Sequence, residues 1–137
     1  MPYKLFDHTA DLGIEVSGPS LEDLYGRAAE ALFSILSDRS AIGTKKTLLR
    51  TFRGRGREDL LVNFLRGLLN LWNRDRFLVR SCKVLEITPQ NLTVRLSGES
   101  YNPLTHRIKR EIKAATYHQV SVVRNKRGWK GRFVLDV

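Results

Sequence analysis

The chain has 137 residues, 42% of them hydrophobic and 28% charged, a length and composition that allow one domain, residues 1–137, to bury a core without cross-links. Its lone cysteine, Cys82, excludes an internal disulfide. Because we find neither a signal-peptide pattern nor an apolar run of membrane-spanning length, we expect a cytoplasmic protein with no membrane partner. Twenty-four Lys and Arg residues against fourteen acids give a net charge of +10, which is typical either of a protein that binds polyanions or of a basic solvated surface.

Two segments carry apolar residues at helical spacing. Ser20 and Asp23 form a capping-box pattern in front of the first stripe, which predicts a helix over residues 20–37. A second stripe, with polar residues on the opposite face, predicts a helix over residues 60–72. Between them, residues 53–57 form a basic turn that contains two glycines and is either a phosphate contact or a solvated tip.

Alternation of apolar and polar residues predicts the strands. The alternation slips near Ser81 and Cys82, which indicates a β-bulge, and tight turns are predicted at residues 88–91 and 125–128. Residues 98–110 follow no clear period. The predicted strands cover residues 3–6, 12–16, 44–53, 77–87, 92–97, 116–124 and 129–137, and the first two are either two short strands or one bent strand.

The order of these patterns indicates the fold class. Strand patterns interrupted by two helical ones, with hairpins late in the chain, are typical of an α+β fold. We expect a mainly antiparallel (mixed) β-sheet with the two amphipathic helices packed on one face.

Two acids near the N-terminus and one near the C-terminus are the strongest functional signal. Asp7 and Asp11 flank a histidine just before an apolar strand, and Asp136 is the last residue but one of another. A charged carboxylate among apolar residues costs several kcal/mol unless a cation accompanies it. That cation could be one of the many Arg side chains or a hard metal ion, which carboxylate and carbonyl oxygens select. We expect the two ends of the chain to meet at a metal ion, with Val137 adding a main-chain oxygen and a terminal carboxylate; an ion pair with Arg is the alternative.

No catalytic centre is recognisable from the residues. His8 lies between the acids and could act as a general base, although such a histidine is as often structural. His118 is predicted on the strand face that carries Val120 and Val122, where a structural role is the commoner one. The sequence contains no nucleophile elbow, phosphate-binding glycine loop or zinc-hydrolase motif, and a single cysteine without paired histidines argues against structural zinc.

Three segments, in their order and spacing, resemble the archease family. They are Asp7-His8-Thr9-Ala10-Asp11 with the following Leu12-Gly13-Ile14, then Glu111-Ile112-Lys113-Ala114-Ala115-Thr116-Tyr117-His118, and the terminal Asp136-Val137. The resemblance implies an archease-like fold and an accessory protein that is not itself an enzyme. Its protein partner would be the GTP-dependent tRNA-splicing RNA ligase, whose active-site histidine archease helps to guanylylate and whose multiple turnover it supports. The family is also linked to a chaperone-like role toward a tRNA methyltransferase.

The resemblance further implies a divalent metal site. Its ligands would be Asp11, Asp136 and Val137, with Ca²⁺ expected ahead of Mg²⁺ or Mn²⁺. Additional candidate metal or functional residues are Asp7, His8, Lys113 and His118. The alternatives to a ligase activator are a chaperone-like modulator of a tRNA methyltransferase, a metal-dependent enzyme acting directly on RNA ends, and an RNA-binding module that relies on its charge, so tRNA is a further candidate partner.

Overall fold

The computed structural model describes residues 3–7 and 11–137, and for residues 5–7 it describes the backbone alone. Within these residues, helices α1 (Leu21–Leu36) and α2 (Arg57–Asp75) and a short 3-10 helix (Arg39–Ala41) alternate with seven strands. The strands are β1 (Tyr3–Asp7), β2 (Asp11–Gly18), β3 (Lys46–Arg53), β4 (Phe77–Ile87), β5 (Asn91–Ser100), β6 (Ala114–Asn125) and β7 (Gly128–Asp136). The predicted α+β class is confirmed.

The described strands form two antiparallel sheets. One has the order β1-β2-β7-β6 and the other the order β3-β5-β4. The sequence predicts one sheet, and the structure corrects this point, because alternation along a strand identifies its buried face but not the strand beside it. Helix α1 packs on β4 and β2, and α2 packs on β6 and β3, so each helix contacts both sheets and the hydrophobic core joins them.

The start of α1 has the Ser20 half of the capping box that the sequence predicts. The Ser20 hydroxyl oxygen accepts a hydrogen bond from the Asp23 main-chain N–H at 3.1 Å, and the hydroxyl donates to the Asp23 carboxylate at 2.9 Å. Such a cap stabilises a helix by about 1 kcal/mol. Further along, Leu24, Leu32 and Leu36 are fully buried, and each contributes roughly 1.5–3 kcal/mol of burial free energy.

Helix α2 begins three residues earlier than predicted. Gly56, with a φ of +136°, turns the chain into the helix at Arg57, in a conformation that glycine adopts most readily. The Tyr25 hydroxyl donates to the main-chain oxygen of Arg57 at 2.6 Å and so links α1 to the start of α2. None of the helices in the described residues has the length and apolar character that crossing a membrane requires.

The β4–β5 hairpin contains the predicted irregularity and one more. Pairing jumps from Val79 to Ser81, next to the position where the alternation slips, and again from Val84 to Glu86. Each jump leaves one residue of β4 without a partner, which is the definition of a β-bulge. The predicted turn is also present, and its Thr88 N–H donates to the main-chain oxygen of Asn91 at 2.8 Å.

Candidate functional site

Strands β2 and β7 bring two acids of the predicted site together. Their antiparallel register pairs Asp11 with Asp136, and the next pair is Leu12 with Leu135. Directly opposite residues project to the same face of a sheet with their Cβ atoms about 4.5–5.5 Å apart, and like charges in that position repel each other. Both acids are partly exposed. The structure therefore places the two carboxyl-bearing residues side by side, and metal binding by them stays a prediction.

The other predicted ligands lie around this pair. Asp7 is paired with Leu12 in the β1–β2 register, so its backbone is on the strand next to Asp11; its side chain is not among those described. His8 lies outside the described residues. Val137 directly follows β7, is partly buried and packs against the hydrophobic core.

Lys113 lies next to Asp136, on the side of β7 opposite to Asp11. Its main-chain N–H donates to the main-chain oxygen of Asp136 at 2.8 Å, and the next residue, Ala114, is paired with Asp136 in the β6–β7 register. Asp136 is therefore flanked by Asp11 on one side and by the start of β6 on the other. The exposed Lys113 side chain belongs to the same end of the sheet.

His118 lies on a wide bulge of β6. The pairing with β7 passes from Thr116–Val134 to Ser121–Arg132, so that four residues of β6 stand against one of β7. The bulge resets the alternation on which the position of His118 was predicted: His118 is exposed, whereas Val122 is buried. The predicted common face of His118 and Val122 is therefore wrong.

The bulge is fixed to α2 by contacts that the sequence does not reveal. The Tyr117 hydroxyl donates to the Asp59 carboxylate at 2.5 Å, and the Arg66 guanidinium lies 4.8 Å from the centre of the Tyr117 ring. The hydrogen bond from Tyr117 is the main cause that lowers the pKa of Asp59, and the main-chain N–H of Arg55 adds to it. The same bond raises the pKa of Tyr117. The only sequence signal is an aromatic residue on an otherwise polar stretch of a strand.

A second feature that the sequence analysis missed is a buried acid–histidine pair in the segment without a clear period. Glu99 and His106 are 7% and 5% exposed, and His106 Nε2 lies 2.7 Å from Glu99 Oε2. His106 Nδ1 accepts the main-chain N–H of Asn102 at 2.9 Å, so Nε2 carries the proton and donates to Glu99. The Gly43 N–H also donates to Glu99, at 2.6 Å. The bonds from Gly43 and then His106 lower the pKa of Glu99, and the pair orders the loop after β5.

Cys82 is partly buried. It packs against the hydrophobic core, and burial, with a smaller contribution from Glu30, raises the pKa of its thiol to about 12. Such a thiol stays protonated at neutral pH and is a poor nucleophile. Among the described residues, no three His, Cys, Asp or Glu side chains are grouped so as to hold a metal ion by themselves.

The chemistry of Asp11 and Asp136 fits a hard cation. Carboxylate and main-chain oxygens are the ligands of Ca²⁺ and Mg²⁺, and two opposed carboxylates provide a concentrated negative charge. The ion pairs between described side chains do not involve either acid. A site of this kind also needs oxygens from the neighbouring positions, for which Asp7 and Val137 are the candidates.

The fold, the motifs and their positions define one family of small α+β proteins. The family model described as the Archease protein family (MTH1598/TM1083) matches residues 3–137. Protein archease of Sulfolobus acidocaldarius is 34% identical over 136 residues and is covered, like this chain, to 98%. Protein archease of Methanopyrus kandleri is 31% identical over 140 residues, with both chains covered to 100%. The chain belongs to the archease family.

Solved structures agree with this assignment. The solution structure of Methanobacterium thermoautotrophicum protein 1598 is 27% identical, has a TM-score of 0.82 and is matched over 99% of both chains. The crystal structure of a Thermotoga maritima archease, described as a possible chaperone, has a TM-score of 0.62 at 22% identity and is similar in fold; 98% of this chain and 96% of that one are covered.

Proposed function

We propose that this chain is a cytoplasmic accessory protein that activates a GTP-dependent tRNA-splicing RNA ligase. In this role it promotes guanylylation of the ligase histidine and supports repeated turnover, while the ligase carries out the chemistry. Membership of the archease family supports the class of function. The single observation that carries the proposal is the direct opposition of Asp11 and Asp136 in the β2–β7 register.

The opposed acids are the reason why the proposal includes a divalent cation at this end of the molecule. Two like charges facing each other on one sheet repel, and a divalent cation between them removes that repulsion. Asp11, Asp136 and a main-chain oxygen of Val137 would hold the ion, Ca²⁺ ahead of Mg²⁺ or Mn²⁺, with Asp7 as the next ligand. The bound ion would supply positive charge to phosphate or carboxylate oxygens of the ligase complex.

Residues around the acid pair complete the proposed ligase-facing surface. Lys113 is exposed one residue before the partner of Asp136, and His118 is exposed on the bulge that follows. Both are close along β6 to the acid pair and can contact a partner without disturbing the core. The predominantly basic surface elsewhere would steer the chain toward a complex that contains RNA, including tRNA.

A single-turnover assay tests the proposal. Guanylylation of a cognate ligase is followed with labelled GTP in the absence of RNA, alone and with the wild-type chain, Asp136→Asn or Asp75→Asn. Asp75 is exposed at the end of α2 and is not part of the acid pair, so its substitution makes the same change of charge outside the proposed metal site. Wild type and Asp75→Asn should accelerate guanylylation and Asp136→Asn should not. Equal rates with wild type and Asp136→Asn would contradict the proposal.

A second candidate function is a chaperone-like action on a tRNA methyltransferase. The description of the Thermotoga maritima protein as a possible chaperone favours it. This function predicts that the chain slows thermal aggregation of the methyltransferase equally well with and without a chelator, because it does not require the metal site. Protection that disappears with Asp136→Asn would count against a separate chaperone role.

Direct catalysis on RNA ends is the remaining alternative. Cys82, with its raised pKa, offers no ready nucleophile, and the described residues bring no three metal-ligating side chains together. Turnover of an RNA with a cyclic phosphate end by the purified chain alone would revive this alternative.

A further inference from the structure

A groove lies at the other end of the strands that carry the acid pair. Its volume is about 790 Å³, and it is lined where β1, the end of β2 and the β6–β7 turn come together. Ser17 pairs with Lys130 and Gly18 with Trp129 at this end, six to seven residues from Asp11. At about 3.3 Å per residue, the groove is roughly 20 Å from the acid pair along the same two strands.

The turn that closes this groove requires a glycine. Gly128 has a φ of +134°, and a Cβ atom at this position would overlap the main-chain oxygen of Gly18. Only a residue without a side chain therefore lets the turn approach the end of β2 so closely. The shape of the groove therefore depends on Gly128, although the sequence predicts this segment only as a hairpin turn.

The lining of the groove is positively charged. Lys4, Arg27, Arg127 and Lys130 line it together with one acid, Glu15. Glu15 is itself compensated, because its carboxylate lies 3.5 Å from Lys130 Nζ and 3.6 Å from Arg132 Nε. Arg27 is oriented by donating to the main-chain oxygen of Ser17 at 2.8 Å. The cations that remain can bind phosphate oxygens.

Two aromatic residues accompany the cations. Tyr3 and Trp129 line the groove, and the Arg57 guanidinium lies 4.8 Å from the centre of the Trp129 ring. Arg57 is not among the lining residues, and Trp129 is partly buried and also packs against the hydrophobic core, so these contacts fix the indole beside the groove. A fixed aromatic ring beside several cations is the combination that binds a nucleobase and its phosphates.

We propose that this groove binds single-stranded RNA, with phosphates on Lys4, Arg27 and Arg127 and an unpaired base on Trp129. The site is separate from the acid pair and goes beyond the proposed ligase activation; only the choice of RNA rests on that function. An acidic protein segment would use the cations but not the ring, and duplex RNA keeps its bases stacked inside the helix. One chain thus has an acid-bearing end for the ligase and a basic end, roughly 20 Å away along the same strands, for the RNA strand.

Matched charge reversals test the site. Binding of a labelled twelve-nucleotide single-stranded RNA is measured by fluorescence anisotropy at several salt concentrations, without ligase and with a chelator present. Lys4→Glu/Arg127→Glu is compared with Arg74→Glu/Arg95→Glu, whose residues are exposed and do not line the groove. Each reversal lowers the charge by two, so both double variants carry +6 instead of +10. The groove variant should bind the RNA at least tenfold more weakly than the wild type. The slope of log affinity against log salt concentration should also fall by about 1.4, since each phosphate contact contributes about 0.7. The affinity of the control variant should stay within a few-fold of that of the wild type.

Substitution of Trp129 tests the contribution of the base. Trp129→Leu should weaken binding by about fivefold or more and Trp129→Phe, which keeps an aromatic ring, by much less. The melting temperatures of both variants show whether they fold. If Trp129→Leu does not fold, Trp129→Phe is used in its place, and the fluorescence of the wild type gives a second measurement. Quenching of the intrinsic fluorescence by RNA should depend on Trp129, because the other tryptophan, Trp72, is 6% exposed and lies against Tyr101 and Arg76.

Three results would overturn this proposal. The first is an equal loss of RNA affinity in the groove and control variants, which would mean diffuse charge attraction. The second is an acidic peptide that binds as tightly as the twelve-nucleotide RNA, and the third is a mononucleotide that does so. Because the binding assay contains neither ligase nor metal and the guanylylation assay contains no RNA, failure of one proposal is distinguishable from failure of the other.

Discussion

The Tyr117 hydroxyl donates a hydrogen bond to the carboxylate of Asp59, a residue 58 positions earlier in the chain. Tyr117 belongs to the wide bulge of β6, close to Lys113 and the acid pair, and Asp59 lies in the first turn of α2. The bond therefore connects the proposed ligase-facing end of one sheet to the helix that also packs on the other sheet. It gives the exposed bulge a fixed position.

Removal of the Tyr117 hydroxyl should raise the pKa of Asp59. The bond from this hydroxyl is the main cause of the low pKa of Asp59, so Tyr117→Phe should move the pKa toward the ordinary carboxyl value. Carboxyl ¹³C NMR titration measures the change. Asp38, whose pKa is lowered mainly by the Ser40 hydroxyl, is an internal control and should titrate as in the wild type. An unaltered Asp59 titration would show that the bond is absent in solution.

The Glu99–His106 pair should stabilise the protein in a pH-dependent way. Folding lowers the pKa of Glu99, so its contribution is fully present above the ordinary carboxyl pKa of about 4.3 and is lost as the pH falls through the lower pKa of the folded state. Glu99→Gln should lower the free energy of unfolding by about 1–3 kcal/mol at pH 7, because charged hydrogen bonds from Gly43 and His106 are lost, and by less near pH 3.

Urea unfolding at pH 7 and pH 3 measures this difference. Glu86→Gln, at an exposed position of β4 and away from any helix terminus, is the matched control and should change stability little at either pH. A Glu99→Gln cost that does not depend on pH would contradict the assignment of a charged Glu99.

A methyl group at Gly98 should destabilise the smaller sheet. A Cβ atom at this position would overlap the main-chain oxygen of Leu78 in β4, next to the first bulge of that strand. Gly98→Ala should lower the free energy of unfolding by about 1–3 kcal/mol, the usual range for overpacking. Gly131→Ala is the control, because its Cβ would lie 3.4 Å from the nearest atoms of Leu24 and Val16, which is ordinary contact. Equal unfolding free energies of the two variants would contradict the predicted overlap.

The acid pair should destabilise the chain when metal is removed. With a chelator present, Asp136→Asn should raise the free energy of unfolding by about 0.2–1 kcal/mol, because one of two opposed like charges is removed. Added Ca²⁺ should stabilise the wild type, by about 2.7 kcal/mol at one hundred times its dissociation constant, and should leave Asp136→Asn almost unchanged. Thermal melts with and without Ca²⁺ measure both effects. If Ca²⁺ does not stabilise the wild type, this result would indicate that the chain has no metal site.

Local patterns in the sequence predict most of the elements. The helical stripes, the capping pair Ser20–Asp23 and the turn at Thr88 depend on residues within a few positions of one another, and the structure contains all three. The motifs at Asp11 and Asp136 indicate that the ends of the chain meet, and the β2–β7 register joins those two residues.

Long-range relationships are the part that local patterns do not contain. The division into two sheets depends on the choice of partner strands, and the bulge between Thr116 and Ser121 depends on packing against α2. The Glu99–His106 pair closes a loop in which neither residue follows a period. The same limit explains why the predicted strand face of His118 is wrong, since alternation cannot be extended through a bulge of four residues.

Calorimetric titration of Ca²⁺ into the chelator-treated protein tests the central claim, a cation held by Asp11 and Asp136, most directly. We expect saturable binding at one site by the wild type and by Asp75→Asn, and a loss of at least tenfold in affinity for both Asp11→Asn and Asp136→Asn. No binding by the wild type, or equal affinity in all four proteins, would contradict it.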